Sequence, residues 1–278
     1  MRRMLTALAG LLLVAGLAPA RGATPARLRW AAGQVLLYRS EHVTHATEVT
    51  RDSRSETKSL VRLTKRWQVT AVDAAGVATL TLSIVAMYQE RTTFSGEVLK
   101  YDSADPDKST PQLKEALSRY LNVPLATVRV DPLGRVVEVK ESKSDASAYE
   151  AELPFLVALP AAGLAANEGW ERSYKITLAP PLGTGEKYDA VQRYRCKALT
   201  PTEATVTLTT ALKDPPKAAA DAMPLWQMLP EGEVVLDLKN GRLHSAKLEI
   251  KREVKDHEGE GSRYTFASTL TVQYAGDR

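Results

Sequence analysis

The stretch VATLTLSIVAMY, from Val77 to Tyr88, alternates: Ala78, Leu80, Leu82, Ile84 and Ala86 fall on one face, and Thr79, Thr81 and Ser83 on the other. A period of two is the pattern of a strand with one side in a core and the other in water. The same alternation marks EVVLDLK and RLHSAKLEIKREV, separated by Asn240-Gly241, a pair that tolerates positive φ and predicts a hairpin. A last strand is predicted in SRYTFASTLTVQY, and turns are predicted at Asp73–Gly76, Asp131–Gly134 and Lys239–Gly241. Helical periodicity is confined to STPQLKEALSRYLN. There Thr110 can cap, Pro111 suits the first helical position, and Leu113, Ala116, Leu117, Tyr120 and Leu121 form an apolar stripe.

The pattern recurs. ATLTL at Ala78–Leu82 returns as ATVTL at Ala204–Leu208. Upstream, Trp67-x-Val69-x-Ala71-Val72 parallels Tyr194-x-Cys196-x-Ala198-Leu199, with a turn one residue shorter in the second copy. Gly33-x4-Tyr38-Arg39 parallels Gly169-x4-Tyr174-Lys175, and Val128-x-Val130 to Val136 parallels Leu236-x-Leu238 to Leu243. The predicted fold class is α+β, predominantly antiparallel β: two duplicated halves of meander, helix and hairpin forming a large curved or sandwiched sheet with few helices. The halves are predicted at residues 21–160, with the crossover helix near 111–122, and at residues 161–278, packed as one unit. In the second half the helix slot holds KAAADAMPLWQMLP, broken by Pro224, and the stretch between the halves, residues 146–170, reads as partly helical and then Pro-punctuated.

The first twenty residues change the picture of location. Arg2 and Arg3, an apolar run from Met4 to about Leu17, and Ala18-Pro19-Ala20 have the layout of a secretory signal peptide cleaved after Ala20. The run is too short for a membrane anchor, which needs about 20 apolar residues, and no later stretch is apolar enough to span. The expectation is an exported chain, periplasmic or extracellular, and soluble after cleavage. The net charge of +4 loses two positive charges with Arg2 and Arg3, and its basic and acidic residues are interspersed, so nucleic-acid binding has no electrostatic warrant. The most basic cluster, Arg62, Lys65 and Arg66, reads as a solvated strand face. Cys196 is the single cysteine, so no internal disulfide forms, and it reads as a buried strand residue.

Candidate chemistry is sparse. Asp102, Asp105 and Asp107 lie within six residues, but the second half keeps only the Asp-Pro-x-Lys frame, Asp105 to Lys108 against Asp214 to Lys217. A Ca²⁺ loop would need alternating oxygen ligands, a central Gly and a terminal Glu, so these carboxylates read as strand exit and helix entry. His42 and His45, three apart on a strand, point to opposite faces and cannot share a metal. His257, in KDHEGEGSR, reads as part of a solvated turn. Ser55-x-x-Lys58 has a serine–lysine spacing without companion motifs. The paired carboxylates Glu249 with Glu253, and Asp145 with Glu150, cannot be ranked from sequence. No catalytic, cofactor-binding or metal residue is assigned, and no cofactor is implied.

Gly33-Gln34-x3-Tyr38, Tyr101-Asp102-Ser103, Asp131-x2-Gly134-Arg135-Val136, Leu159-Pro160 and Gly169-Trp170 resemble a family of uncharacterised exported bacterial proteins of about this length, often lipoprotein-like. The resemblance implies location and fold and carries no activity. This chain has no cysteine at the end of the apolar run, where lipid tethering would need one. The reading is a non-catalytic, exported β-rich protein of the periplasm or cell envelope. The partners left open are an apolar or lipid-like small molecule and an envelope protein that uses it as a scaffold. The rival is a secreted hydrolase with a carboxylate site.

Overall fold

A computed structural model describes residues 23–143, 149, 155–180 and 182–277. The signal-like segment, and the part of the inter-repeat stretch that carries Asp145 and Glu150, lie outside the described residues.

Twelve antiparallel strands make one open sheet. In chain order they are β1 (Val35–Val49), β2 (Arg54–Val72), β3 (Ala78–Thr92), β4 (Val98–Asp102), β5 (Pro124–Val130), β6 (Val136–Ser142), β7 (Gly169–Leu178), β8 (Glu186–Leu199), β9 (Glu203–Leu212), β10 (Glu231–Asp237), β11 (Arg242–Lys255) and β12 (Arg263–Asp277). Across the sheet the order is β6-β5-β3-β2-β1-β12-β11-β10-β9-β8-β7, with β4 paired to β3. The strands β1, β2, β3, β5 and β6 form one five-strand meander and β7 to β11 another, joined at the centre by β12.

Both meanders carry a bulge at the same place. Trp67 faces Leu82 and Val69 faces Leu80, and the register then slips between Val69 and Ala71. Tyr194 faces Leu208 and Cys196 faces Val206, and the slip falls between Cys196 and Ala198. Just upstream, Gly33 N–H donates to Val69 O and Val69 N–H to Gln34 O, while Asn167 N–H donates to Cys196 O and Cys196 N–H to Glu168 O. By hydrogen bonding, the counterparts of Gly33 and Tyr38 are therefore Asn167 and Arg172, two residues before the Gly169 and Tyr174 matched in sequence. The downstream match shifts by two as well, because Leu80 faces Val128 and Val206 faces Val234.

One face, here the inner face, carries the core. Leu36, Trp67, Val69, Leu80, Leu82, Val128 and Val130 from the first meander, and Tyr194, Cys196, Val206, Leu208, Val234 and Leu236 from the second, form a single buried cluster. The two meanders reach one another through a plug of irregular chain. Ala26, Leu28, Phe155, Leu156, Val157, Leu159 and Leu164 fill the space between them. The plug is tied to both hairpins at this end of the sheet: Leu28 N–H donates to Pro132 O, Arg29 N–H to Gly241 O, and Leu159 N–H to Leu133 O. Contacts from one short segment to the β5–β6 and β10–β11 turns hold the sheet curled over its inner face.

Several local expectations change. Strand β4 is an added hairpin on β3, hidden from sequence by its length of five residues. Helix α1 (Pro111–Ser118) is one turn shorter than its stripe suggests, because Asn122 adopts φ +57°, donates its N–H to Ile84 O, and Pro124 opens β5. In the second half the helix shrinks to α2 (Ala219–Ala222) followed by a 3-10 turn, Met223–Met228, as Pro224 removes a backbone donor. The β10–β11 hairpin forms with a four-residue connection in which only Gly241 has positive φ. Its turn is fixed by Asp237, whose carboxylate accepts Asn240 N–H and the Asn240 side-chain amide.

Candidate functional site

Beyond the plug the long strands continue. Strand alternation puts Ser40, His42, Thr44, Ala46 and Glu48 of β1 on the inner face, with Leu63, Val61 and Ser59 of β2, and Val272, Leu270, Ser268 and Phe266 of β12, opposite them. Two short elements cross this part of the face. On one side Leu113, Leu117 and Leu121 around α1 pack with Ile84, Met87, Tyr101 and Leu63. On the other, Leu225 of the 3-10 turn is buried against Ile176, Leu178 and Ala190, and Trp226 lies 5.9 Å from the Tyr264 ring. Between them Val61, Leu63, Leu270 and Phe266 remain only half-buried among the described residues.

Polar groups on this face are mostly engaged. His42 Nε2 lies 2.7 Å from Ser268 Oγ, and desolvation, helped by the nearby Lys65 charge, holds its imidazole below the usual histidine range. Lys65 itself faces inward opposite Tyr38, so only Arg62 and Arg66 of the basic cluster lie on the outer face. Next to the plug, Gln192 is fully buried. Its Oε1 accepts from Arg172 Nε at 2.8 Å and lies 2.7 Å from Tyr194 OH, and its Nε2 donates to Thr210 Oγ1 at 3.2 Å. Burial pushes the Tyr194 phenol up to about 12.

The outer face has a broad groove of about 730 Å³ running across β10, β11, β12, β1, β2 and β3. Its floor is small side chains, among them Thr64, Ser245 and Ala86, the last turned away from the face of Leu80, Leu82 and Ile84, where alternation predicts it, by the register slip between Thr64 and Lys65. Its charges are paired, Arg62 Nε lying 2.6 Å from Glu41 on the neighbouring strand and Lys247 2.8 Å from Glu249 two residues along β11. These groups satisfy each other along a ladder and do not converge on a point where a substrate atom could sit.

The residues singled out in sequence are dispersed. Asp102 Oδ1 accepts Ala104 N–H at the end of β4, Asp105 pairs with Lys108, and Asp107 pairs with Lys114. Each carboxylate serves its own turn or helix entry. His42 and His45 lie on opposite faces, the latter 3.5 Å from Glu56. Ser55 and Lys58 likewise fall on opposite faces of β2, facing Glu48 and His45. Glu249 is held between Lys247 and Lys251, and Glu253 beside Lys255. Cys196 is fully buried, and burial pushes its thiol up. His257 differs from its sequence reading: its side chain is 4% exposed and meets Glu48. The signal that could have found it is Ser262, which folds the turn inward.

No family model and no curated protein matches this chain. Among solved structures it is similar to lipovitellin, described for its lipid–protein interactions, with a TM-score of 0.49 and 11% identity over 90% of this chain and 26% of that one. The chain thus spans about a quarter of lipovitellin's length. It is also similar to DynF from the dynemicin biosynthesis pathway of Micromonospora chersina, with a TM-score of 0.21 and 8% identity over 96% of this chain and 94% of that one. A third is an outer membrane channel from Pseudomonas putida, with a TM-score of 0.25 and 8% identity over 93% and 100% of the two chains. None of the three carries an argument about this chain's function. No helix among the described residues is long and apolar enough to cross a membrane.

Proposed function

We propose that the protein is an exported, non-catalytic β-sheet protein of the periplasm or cell envelope that holds an apolar or lipid-like molecule against the far half of its inner face. The observation that carries this reading is the row Val61, Leu63, Leu270 and Phe266, half-buried where the sheet outruns its plug. Large antiparallel sheets bury one face, and apolar side chains left half-buried on either side of His42 on such a face mark a place for a ligand or partner. Helix α1 and the 3-10 turn flank the row as walls, as in sites where hydrophobic side chains surround a guest and a few polar groups orient it. His42 and Lys65 supply those polar groups.

We also infer that the two meanders descend from one repeated unit. The shared bulges, the paired donors at Gly33 and Asn167, and the common order of strands support it.

The ligand reading is tested by extracting the exported protein and identifying bound lipids by mass spectrometry, with Leu63→Glu and Leu270→Glu as variants. Burying a leucine contributes about 1.5–3 kcal/mol, so removing one contact and placing a carboxylate there should lower occupancy at least tenfold while near-ultraviolet dichroism stays native. A natively folded wild-type protein that carries no lipid and takes up no apolar fluorophore overturns the reading.

A further inference from the structure

The turn between β11 and β12 folds a histidine inward. Asp256, at φ +57°, donates its N–H to Ser262 O, and its carboxylate accepts Gly261 N–H. This closes the turn over Ser262, which is 4% exposed. The Ser262 hydroxyl donates to Gly259 O at 2.8 Å and accepts Glu258 N–H at 2.9 Å. Its third neighbour is His257 Nδ1, at 3.4 Å.

A hydroxyl has one proton. With that proton on Gly259 O, Ser262 can only accept from the imidazole, so Nδ1 carries the hydrogen. In the neutral ring Nε2 is then a lone pair, and what it faces is another acceptor, the Glu48 carboxylate at 3.4 Å. The imidazole side chain is 4% exposed, so the ring is held facing that carboxylate. Glu258, on the same turn, brings a second carboxylate, and the donor atoms of all three residues lie within 4.8 Å of one another.

We propose that Glu48, His257 and Glu258 form a binding site for a divalent cation of the zinc class. One imidazole and two carboxylates suit a borderline cation better than the all-oxygen shells that Ca²⁺ and Mg²⁺ prefer. Bonds of about 2 Å set tetrahedral ligands about 3.4 Å apart, and Glu258, exposed at the tip of the turn, can rotate to close the set. Ser262 fixes the imidazole from behind, as the outer partners of ligating histidines do. The fourth position is left to water. Such a site would clamp the β11–β12 turn to β1.

The test uses the full mature chain without an affinity tag, stripped with chelator and titrated with Zn²⁺ by calorimetry and thermal melting, and with Co²⁺ by visible absorption. One equivalent should bind. At a hundred times the dissociation constant the folded state should gain about 100-fold, or 2.7 kcal/mol, and Co²⁺ should give the intense visible bands of a four-coordinate site. Glu258→Gln, at an exposed position, should leave the metal-free melting temperature unchanged and weaken binding at least tenfold; Glu48→Gln should do the same to binding. Absence of binding in the wild type overturns the proposal. Binding that survives unchanged in both variants places the metal elsewhere and overturns it equally.

Discussion

The Phe155 ring meets the Trp67 indole edge to face, with centroids 5.0 Å apart and planes at 73°. Both side chains are fully buried, and the contact joins the plug to β2 near the end that leads into β3. Edge-to-face pairs of this kind add about 0.5–1.5 kcal/mol to what burial alone gives.

Phe155→Ala should therefore destabilise the protein by about 3–5 kcal/mol, the range for losing a buried aromatic side chain and leaving a cavity. Urea unfolding followed by tryptophan fluorescence measures it. A loss under about 1 kcal/mol would mean that the plug is loosely seated.

The Tyr194 phenol, raised to about 12 by burial, makes a prediction in alkali. A raised folded-state pKa means the neutral form is favoured by folding, so its contribution is complete below pH about 10 and is lost as pH climbs towards 12. Two pKa units correspond to about 2–3 kcal/mol. Stability should fall over that window, and Tyr194→Phe should flatten the fall at the cost of the hydrogen bonds to Leu156 O and Gln192. Denaturant midpoints at pH 9, 10 and 11 decide it; identical slopes for both proteins would count against Tyr194 as the titrating group.

Gly241 and Gly96 both have positive φ, +64° and +82°. A Cβ on Gly241 would sit 2.7 Å from Arg27 O, whereas one on Gly96 meets nothing within 4 Å. Gly96→Ala should show only the backbone cost of the left-handed conformation, about 1–2 kcal/mol. Gly241→Ala should cost more, because the Thr24–Arg29 segment must move off the hairpin. Equal costs would mean that the segment yields freely.

Grafting the five-residue turn Asp73–Val77 in place of Thr200–Glu203 should be tolerated, with a melting temperature within a few degrees of wild type, because identical bulges flank the two turns. In Asp73 the carboxylate accepts Ala75 and Val77 N–H, so the turn carries its own fastening. A collapse in stability would make the matching bulges a coincidence.

The strands were legible because alternation is a local signal: β3, β9, β11 and β12 announce themselves by period two. The plug was not. Ala26, Leu28 and residues 155–164 have no period, and their value to the core exists only once two distant hairpins bracket them. For the same reason the matched segments of the two meanders agree at their strongest strands but stand two residues out of step at Gly33 and Tyr38, where glycine and tyrosine match by letter while Asn167 and Arg172 match by hydrogen bond. The dispersal of Asp102, Asp105 and Asp107 into turn contacts followed from comparing the halves. The inward fold of His257 did not, since KDHEGEGSR has the composition of a wet loop and its burial depends on one serine hydroxyl.

The pairing of β1 with β12, Leu36 to Asp277 at one end and Val49 to Arg263 at the other, sets an order of assembly. β1 is made well before β12, yet the two form the seam at the middle of the sheet. Until β12 emerges, β1 has one side satisfied by β2 and the other bare, an unpaired edge of fifteen residues. Loss of β12 would not shorten the sheet at its margin; it would split it down the centre.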